Sequence, residues 1–597
     1  MYYLKQVELD TQTEKELELY NIDITLYKVL INRGLTKQNI IDLHTNISKF
    51  LVNPKKLVNA QKAADKIIEY LENPNAYIFV KADYDTDGMT SGFIIGNCLK
   101  QESKCSGIRI YYPERKEGYG ITQTCIDRIM AFKEKKNIKD GDLLVVTVDN
   151  GITNVNEIDY FQSHGIEVVV TDHHEPQEKL PNCIIVDDFI TKEQKYNYLC
   201  GAGVAFKVAF LIKKHYCKEK EMNNFLVPLM IGTIADMMPM SLENIAFACL
   251  GIYGANLGIF PTVSYYIENY IKTDKLKFKD VGFSLAPALN SCGRLNNTSL
   301  GPKIFNGKNI EEVAKAINDM NEERKKVTNN LVKEIMKKQN VISGEANVVL
   351  IEESGVAGII ANKILQQTKR PCICLHKSHD SNDTYTGSCR SKYLDLLTMF
   401  EEMKRVGIVV KYGGHKEACS VTIFKSSLEA FTEYVIGYVR DNYEFYTQEE
   451  ELIAIDDIIC LNDLNKKKYE AINSVPYDKS NFKAPLFQID CSLMNAETVK
   501  SNNKNAWIYV YDESVKTQVK MFAKGYGKVV KKRFSENFLR ADIRLIGTIE
   551  PDFITQGKTY TLDIMDIKEK IEIEVTDENN IFNSKKSIIY KTLDKEE

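Results

Sequence analysis

From residue 76 onward, apolar runs of strand length alternate with amphipathic stretches of helical length. AYIFV (76–80), GIRIYYP (107–113), LLVVTVD (143–149) and IEVVVTD (166–172) are apolar almost throughout, as strands buried on both faces of a parallel sheet must be. Between them, TSGFIIGNCLKQ and TQTCIDRIMAFKEK carry one apolar stripe at helical spacing. This alternation predicts an α/β fold, a mostly parallel sheet covered by helices on both faces, over residues 76–308.

The pattern changes on either side. Residues 1–75 read as a polar, helical N-terminal region. Residues 309–341 contain no Pro or Gly and read as one long charged helix, a strut between domains rather than a core helix. ANVVLIE, GVAGIIANKILQQTK and PCICL then repeat a smaller α/β pattern over 342–445. From about 486, LFQIDCSLMN, AWIYVYD, TQVKMFAKG, LRADIRLIGTIE and TYTLDIMDI are five strand-like runs with polar connections. Within a domain spanning 446–570 they predict a small β-barrel of the oligonucleotide-binding (OB) kind. Residues 571–597 are polar and read as a tail.

A chain of 597 residues exceeds one hydrophobic core, in keeping with several domains. Hydrophobic and charged contents of 44% and 27% are those of a soluble globular protein. A net charge of −4 gives no global basic character, although a local basic stripe can still bind nucleic acid. Fourteen cysteines without a C-x-x-C pair point to buried thiols in a reducing compartment, not to a zinc site or disulfide framework. The N-terminus lacks a signal pattern, and no apolar run approaches the ~20 residues of a membrane helix. The expectation is a cytoplasmic protein without a membrane partner.

The chemistry concentrates at strand ends. KADYDTDGMT (81–90) places Asp83, Asp85 and Asp87 at every second position before Gly88. Carboxylates so close repel unless a cation lies between them. An EF-hand loop starts the same way but requires Glu at its twelfth position, here Ile94, and a preceding helix where this chain has a strand. Asp149 ends the third strand run and Asp172 the fourth, followed by His173 and His174. Taken singly, Asp149 at a strand end is more often a helix cap than a ligand, while T-D-H-H-E-P is a sharper signal whose plain alternative is a capping Asp172 with two surface histidines. Ligands of open α/β sheets bind outside the carboxyl ends of the strands, where all these residues collect. Asp236 lies in the apolar GTIADMMPM (232–240), and KYGGHKEACS (411–420) carries a Gly-Gly-His turn. A helix cap and an ordinary tight turn are the plain alternatives there.

D-x-D-x-D-G, D-N-G, D-H-H, G-T-x-A-D and G-G-H in this order resemble the DHH phosphoesterase superfamily, and within it the RecJ-type single-strand-specific 5′→3′ exonucleases. PERKEGYG (113–120), LCGAGVAFK (199–207), LAPALNSCGRL (285–295), GVAGIIANK (355–363), GSCRS (387–391) and YGGHKEA (412–418) extend the resemblance across residues 25–425. It implies a DHH domain, a connecting helix, a DHHA1 domain and the β domain. The chain departs from the family pattern at V-K-A (80–82), where Gly usually precedes the first Asp, at Ala288, at V-D-D (186–188) and at Ile245.

The resemblance implies hydrolysis of single-stranded DNA from a 5′ end to mononucleotides, in repair or recombination. Two divalent cations, Mn2+ preferred or Mg2+, would be held by Asp83, Asp85, Asp87, Asp149, His173 and Asp236, with Asp149 bridging. Asp172 would orient His173, and His174 would contact the scissile phosphate or assist proton transfer. Arg115, Ser388 and Arg390 would recognise the terminal phosphate. Arg294, Gly413, Gly414 and His415 would line the substrate cleft. A single-strand-binding protein and a helicase are the implied partners of a monomer. Trp507, Phe522 and Tyr526 lie among Lys516, Lys520, Lys524, Lys528, Lys531, Lys532 and Arg533. That mixture fits stacking on a single strand or a solvated lysine-rich loop. Two other readings of the chain stand beside the exonuclease: a DHH phosphodiesterase for short oligonucleotides or cyclic dinucleotides, and a non-catalytic DHH replication scaffold.

Overall fold

The computed structural model describes residues 2–190, 198–337, 346–378, 381–392, 394–447, 452–479, 482–499, 502–528, 541–552, 559–575 and 585–592. The chain folds as two compact units, Leu51–Glu450 and a second that joins Met1–Phe50 to Glu451–Glu597. No single described helix is long and apolar enough to cross a membrane.

In the larger unit, α1 (Ala60–Glu72) leads into β1 (Tyr77–Lys81), α2 (Thr86–Glu102), β2 (Gly107–Tyr111), α3 (Gln123–Lys135), β3 (Leu143–Val148), α4 (Val155–Ser163), β4 (Ile166–Asp172) and β5 (Ile184–Asp187). The five strands are parallel in the order β2-β1-β3-β4-β5. Ile78, Val80, Leu144, Val146 and Val169 face one core, shared with α1, α2 and α5 (Gly201–His215). On the opposite face, Phe79, Leu143, Val145, Val168 and Val170 meet Cys125, Ile126 and Ile129 of α3 and Ile158 and Phe161 of α4. Burial on both faces is why these strands read as unbroken apolar runs. Strand order reverses between β1 and β3, so a crevice opens at their carboxyl ends. β5 escaped the sequence reading because its four-residue run is too short to stand out beside the longer strands.

Helices α6 (Leu226–Ala235), α7 (Leu242–Asn256) and α8 (Ala286–Arg294) complete this half. The long helix α9 (Ile310–Lys337) follows. It does more than a solvated strut. Val313, Ala314 and Ile317 enter the first core, while Val332 and Ile335 enter a second one with Ile360 and Ile364 of α10 (Ala357–Thr368). The helix reaches Lys337, and the remainder of its expected span lies outside the described residues. The smaller sheet comprises β6 (Asn347–Leu350), β7 (Cys372–Lys377), β8 (Thr384–Arg390), β9 (Val409–His415) and β10 (Ala418–Phe424), in the order β9-β10-β8-β7-β6. Only its β6–β7 pair is parallel.

The second unit corrects the expectation of one helical region over 1–75. Tyr2–Leu4 is a strand, pairing in parallel with Ile453–Ile455. Helix Ile24–Asn32 buries Val29 in the core of the C-terminal β domain. Arg33 grips Asp456 with two hydrogen bonds, of 2.5 and 2.9 Å. Of the expected region, the part from Leu51 onward, with α1, belongs to the larger unit, where Leu57, Ala60, Ala63, Ala64 and Ile67 pack. All five expected C-terminal runs are strands: β11 (Phe487–Val499), β12 (Asn502–Asp512), β13 (Thr517–Ala523), β14 (Ala541–Pro551) and β15 (Tyr560–Val575). The expected tail is corrected as well. Lys585–Thr592 forms a further strand, antiparallel to β15, which gives its backbone the partners a free tail would lack.

Candidate metal centre

Each acidic side chain reaches the sheet edge through a specific local device. Asp83 follows β1 and is buried. Asp85 caps α2, accepting from the Gly88 amide at 3.0 Å. Asp87 is buried in the first turn of α2 and accepts from the amides of Gly201 and Ala202, at 2.6 and 2.9 Å. Those donors start α5, whose N-terminal dipole favours a carboxylate. Asp149 follows β3 in the left-handed region, φ +63°, a conformation that aspartate tolerates better than most residues. Asp236 caps the C-terminal end of α6.

These devices converge. His173 Nε2 lies 3.1 Å from Asp149 Oδ1, 3.7 Å from Asp87 Oδ2 and 3.8 Å from Asp236 Oδ2. Three groups each bring their potential ligand atoms within 4.8 Å of one another: Asp83, Asp85 and Asp149; Asp87, His173 and Asp236; Asp149, His173 and His174. Asp149 belongs to two of them. Asp83 Oδ1 and Asp149 Oδ1 are buried with no hydrogen-bond partner. An orphaned buried carboxylate oxygen is costly, and a cation bound by oxygen and imidazole donors satisfies it. The residues present therefore fit a divalent metal.

The electrostatics lead to the same reading. Burial, reinforced by Asp85, pushes the Asp83 carboxyl up to about 7 and that of Asp87 up to about 6. Burial, with Asp87 next, also holds Asp149 and Asp236 well above the usual carboxylate range. His173 is pushed down to about 3 by burial, with His174 adding to it, so its ring is neutral and able to ligate. Burial alone would lower His174 too, but the hydrogen bond and charge of Asp172 outweigh it and hold the ring at about 9. Adjacent histidines thus carry different protonation states.

Asp172 corrects one expectation. Its Oδ1 lies 2.8 Å from His174 Nδ1, so it orients His174 rather than the ring of His173. Toward His173 it accepts only the main-chain amide, at 2.8 Å, and Oδ2 takes the Ile152 amide at 3.0 Å. Tyr119, which sequence reasoning passed over inside PERKEGYG, places its hydroxyl 2.9 Å from His174 Nδ1.

A second cluster is cationic. The Arg115 guanidinium sits 4.9 Å from the Tyr84 ring centroid. Arg294 donates to the Gly355 carbonyl at 2.9 Å, and a Cβ on Gly355 would lie 2.1 Å from the Arg294 carbonyl oxygen. Only glycine lets these backbones approach so closely. Burial, then repulsion from Arg115 and Arg324, pushes Arg294 down to about 9. Arg324, on α9, is the member no motif announced; its Nε is buried without a partner. Ser388 and Arg390 of β8 flank the start of α10: a Cβ at Gly358 would lie 3.0 Å from Arg390 Nη2 and 3.6 Å from Ser388 Oγ. Gly413, Gly414 and His415 lie exposed on the β9–β10 hairpin. Among the described residues, no contact joins His415 to the carboxylates.

In the β domain, Trp507 and Phe522 are cross-strand partners with ring centroids 5.2 Å apart. Lys520 Nζ lies 4.9 Å from the ring centroids of both Trp507 and Tyr509. Tyr526 does not join them. It is fully buried, and its hydroxyl accepts from the Ile567 amide at 3.1 Å. Lys531, Lys532 and Arg533 lie outside the described residues.

Comparison with known proteins shows what the chain is similar to. The DHH family N-terminal domain model matches residues 77–233, and the DHHA1 domain model matches 346–441. A Bacillus subtilis protein named single-stranded-DNA-specific exonuclease RecJ is 26% identical over 544 residues, covering 85% of this chain and 64% of that protein. This chain thus spans just under two thirds of that relative's length. The Haemophilus influenzae protein of the same name is 26% identical, covering 78% of this chain and 84% of its own. The fold of Thermus thermophilus RecJ, solved in complex with Mn2+, superposes with a TM-score of 0.75 at 20% identity, covering 95% of this chain and 79% of that one. Over most of its length this chain is similar to the RecJ-type DHH/DHHA1 proteins.

Proposed function

We propose that this protein is a metal-dependent exonuclease that hydrolyses single-stranded DNA from the 5′ end to mononucleotides. One observation carries the reading: Asp83, Asp85, Asp87, Asp149, His173 and Asp236, drawn from four chain segments, bring their ligand atoms together in overlapping groups at one sheet edge. The names of the bacterial relatives support the substrate class.

Two divalent cations held there, Mn2+ or Mg2+, would supply positive charge opposite the scissile phosphate and a water of lowered pKa. The remaining work falls to the protein. Asp149, common to two ligand groups, couples the two positions. His174, kept protonated by Asp172, presents a proton and a positive charge to the scissile phosphate. Arg115, Ser388 and Arg390, with Arg294 and Arg324 behind them, form the anion-binding end that takes the 5′ phosphate. Guanidinium forks match phosphate geometry. The Gly413–Gly414–His415 hairpin contacts the strand through its exposed backbone. Trp507, Tyr509, Phe522 and Lys520 form a platform on which unstacked bases lie. The protein acts as a cytoplasmic monomer, receiving single strands from a helicase and from single-strand-binding protein.

The test is digestion of 5′-phosphorylated and 5′-hydroxyl single strands and of blunt duplex, with Mn2+ and with chelator. The expected result is release of mononucleotides from the phosphorylated single strand only when metal is present. Equal cleavage of blunt duplex, or cleavage in chelator, would overturn the proposal.

A further inference from the structure

The segment between β2 and α3 carries two residues of the proposed site, Arg115 and Tyr119. Arg115 opens the short turn Arg115–Glu117 and lies beside the Tyr84 ring. Tyr119 is exposed and reaches His174 Nδ1. Glu117 stands between them and turns inward, its side chain only 8% exposed. Both of its oxygens are engaged. Oε1 accepts from the Glu114 amide at 3.0 Å, and Oε2 accepts from the hydroxyl of Tyr111, the last residue of β2. Arg128 of α3 places Nε 3.6 Å from Oε2 and its guanidinium 5.2 Å from the Tyr111 ring centroid.

A carboxylate this enclosed is costly unless its oxygens are satisfied. Charge-assisted hydrogen bonds satisfy them more strongly than neutral ones do. The outcome is a clamp that ties the loop to a strand and a helix of the rigid sheet layer. Two further ties complete it. The Lys116 amide donates to Asn296 Oδ1 at 3.1 Å, just beyond Arg294 at the end of α8. The Ile121 amide donates to Asn154 Oδ1 at 3.0 Å. Glu117 offers little surface to a substrate, so its influence on the reaction passes through the two residues it holds in place.

We propose that Glu117 is a positioning residue, which fixes how far the end phosphate lies from His174 and so sets the release of one nucleotide per cleavage. The inference rests on the exonuclease reading above. There, Arg115 takes the 5′ phosphate and His174 faces the scissile one. The separation of these two points decides how many nucleotides lie between the held end and the cut. A loop without its clamp would let that separation vary.

Steady-state cleavage of 5′-phosphorylated and 5′-hydroxyl single strands by the full chain, with the products sized by chromatography, tests this. Glu117→Ala is expected to raise KM on the phosphorylated strand about tenfold or more, because a small misplacement of a binding group is costly. It is also expected to shrink the advantage of phosphorylated over hydroxyl ends and to release dinucleotides beside mononucleotides. Its Mn2+ affinity should stay within about twofold of the native value. Tyr111→Phe, which removes the hydroxyl donor, should shift in the same direction but less far. Glu117→Gln, which keeps an acceptor for the Glu114 amide and a hydrogen-bonding group for Tyr111, should restore most of the native behaviour. If Glu117→Ala fails to fold by circular dichroism, Tyr111→Phe carries the test. A folded variant that keeps the native end preference and releases only mononucleotides, whatever its kcat, overturns the positioning role. A native chain that releases no mononucleotides from the phosphorylated strand overturns the exonuclease reading instead.

Discussion

The carboxyl edge of the parallel sheet and the aromatic face of the C-terminal β domain handle charge in opposite ways. At the sheet edge, Asp83, Asp87 and Asp149 are buried, and two of their oxygens have no partner. On the β domain, Lys520 is exposed, pairs with Glu497 at 2.9 Å and rests beside two rings. The first arrangement is intolerable without a cation, so it is specific and brittle. The second is already satisfied in water, so it can exchange partners cheaply and contributes in small increments. In the proposed function, chemistry belongs to the first region and grip to the second.

That contrast can be attacked at its strongest point. Asp149→Ala removes a residue shared by two ligand groups, and kcat on single-stranded DNA is expected to fall about a thousandfold or more. His174→Ala is expected to cost about a hundredfold in kcat, with Mn2+ affinity changed far less than in Asp149→Ala. Titration and single-turnover kinetics on the same preparations separate the two effects. Arg390→Ala should lower kcat/KM on 5′-phosphorylated strands by about ten- to a hundredfold and erase the advantage of phosphorylated over hydroxyl ends. Trp507→Ala is expected to leave kcat on a saturating strand unchanged and to weaken DNA binding by about 1–3 kcal/mol, measured by fluorescence anisotropy. A Trp507→Ala loss of kcat as deep as that of Asp149→Ala would abolish the distinction drawn between the two regions.

The gentlest probe is pH. Asp83 and Asp87, raised to about 7 and about 6 when folded, have pKa values near ~3.9 in an unfolded chain. The folded, metal-free protein therefore binds protons that the unfolded chain has released. Stability from these groups is fully present below about pH 4 and is lost as pH rises through 6 and 7. In chelator, the melting temperature is expected to drop between about pH 5.5 and about pH 8. Added Mn2+ should remove that drop, because the metal takes the place of the protons. A metal-free protein equally stable at both values would show that these carboxylates are not strained.

Much of the catalytic half was legible in the chain because its signals are local. Strand runs such as LLVVTVD report burial through composition alone, and DYDTDG, DHH and GGH are contiguous words. The four expected strands of the first sheet all formed, and the acidic residues after them lie at the predicted edge. Other features gave no local signal. Arg324 sits in a helix full of charges and differs from its neighbours only in being aimed inward. Tyr119 bonds to a histidine 55 positions away. Tyr526 looked like a stacking residue beside lysines, yet packing made it core. Val29 and Tyr2–Leu4 gave no hint that they would join a domain more than 400 residues downstream.

The order of apolar runs, the acidic words at their ends and the glycines between them set the fold class and nominated the metal-binding residues, since each depends only on near neighbours and on burial averaged along the chain. Which histidine is neutral, which carboxylates lose their partners and which arginines gather are long-range facts. They arise when distant segments exclude water from the same few cubic ångströms, and electrostatic energies there depend on distances that no linear spacing encodes.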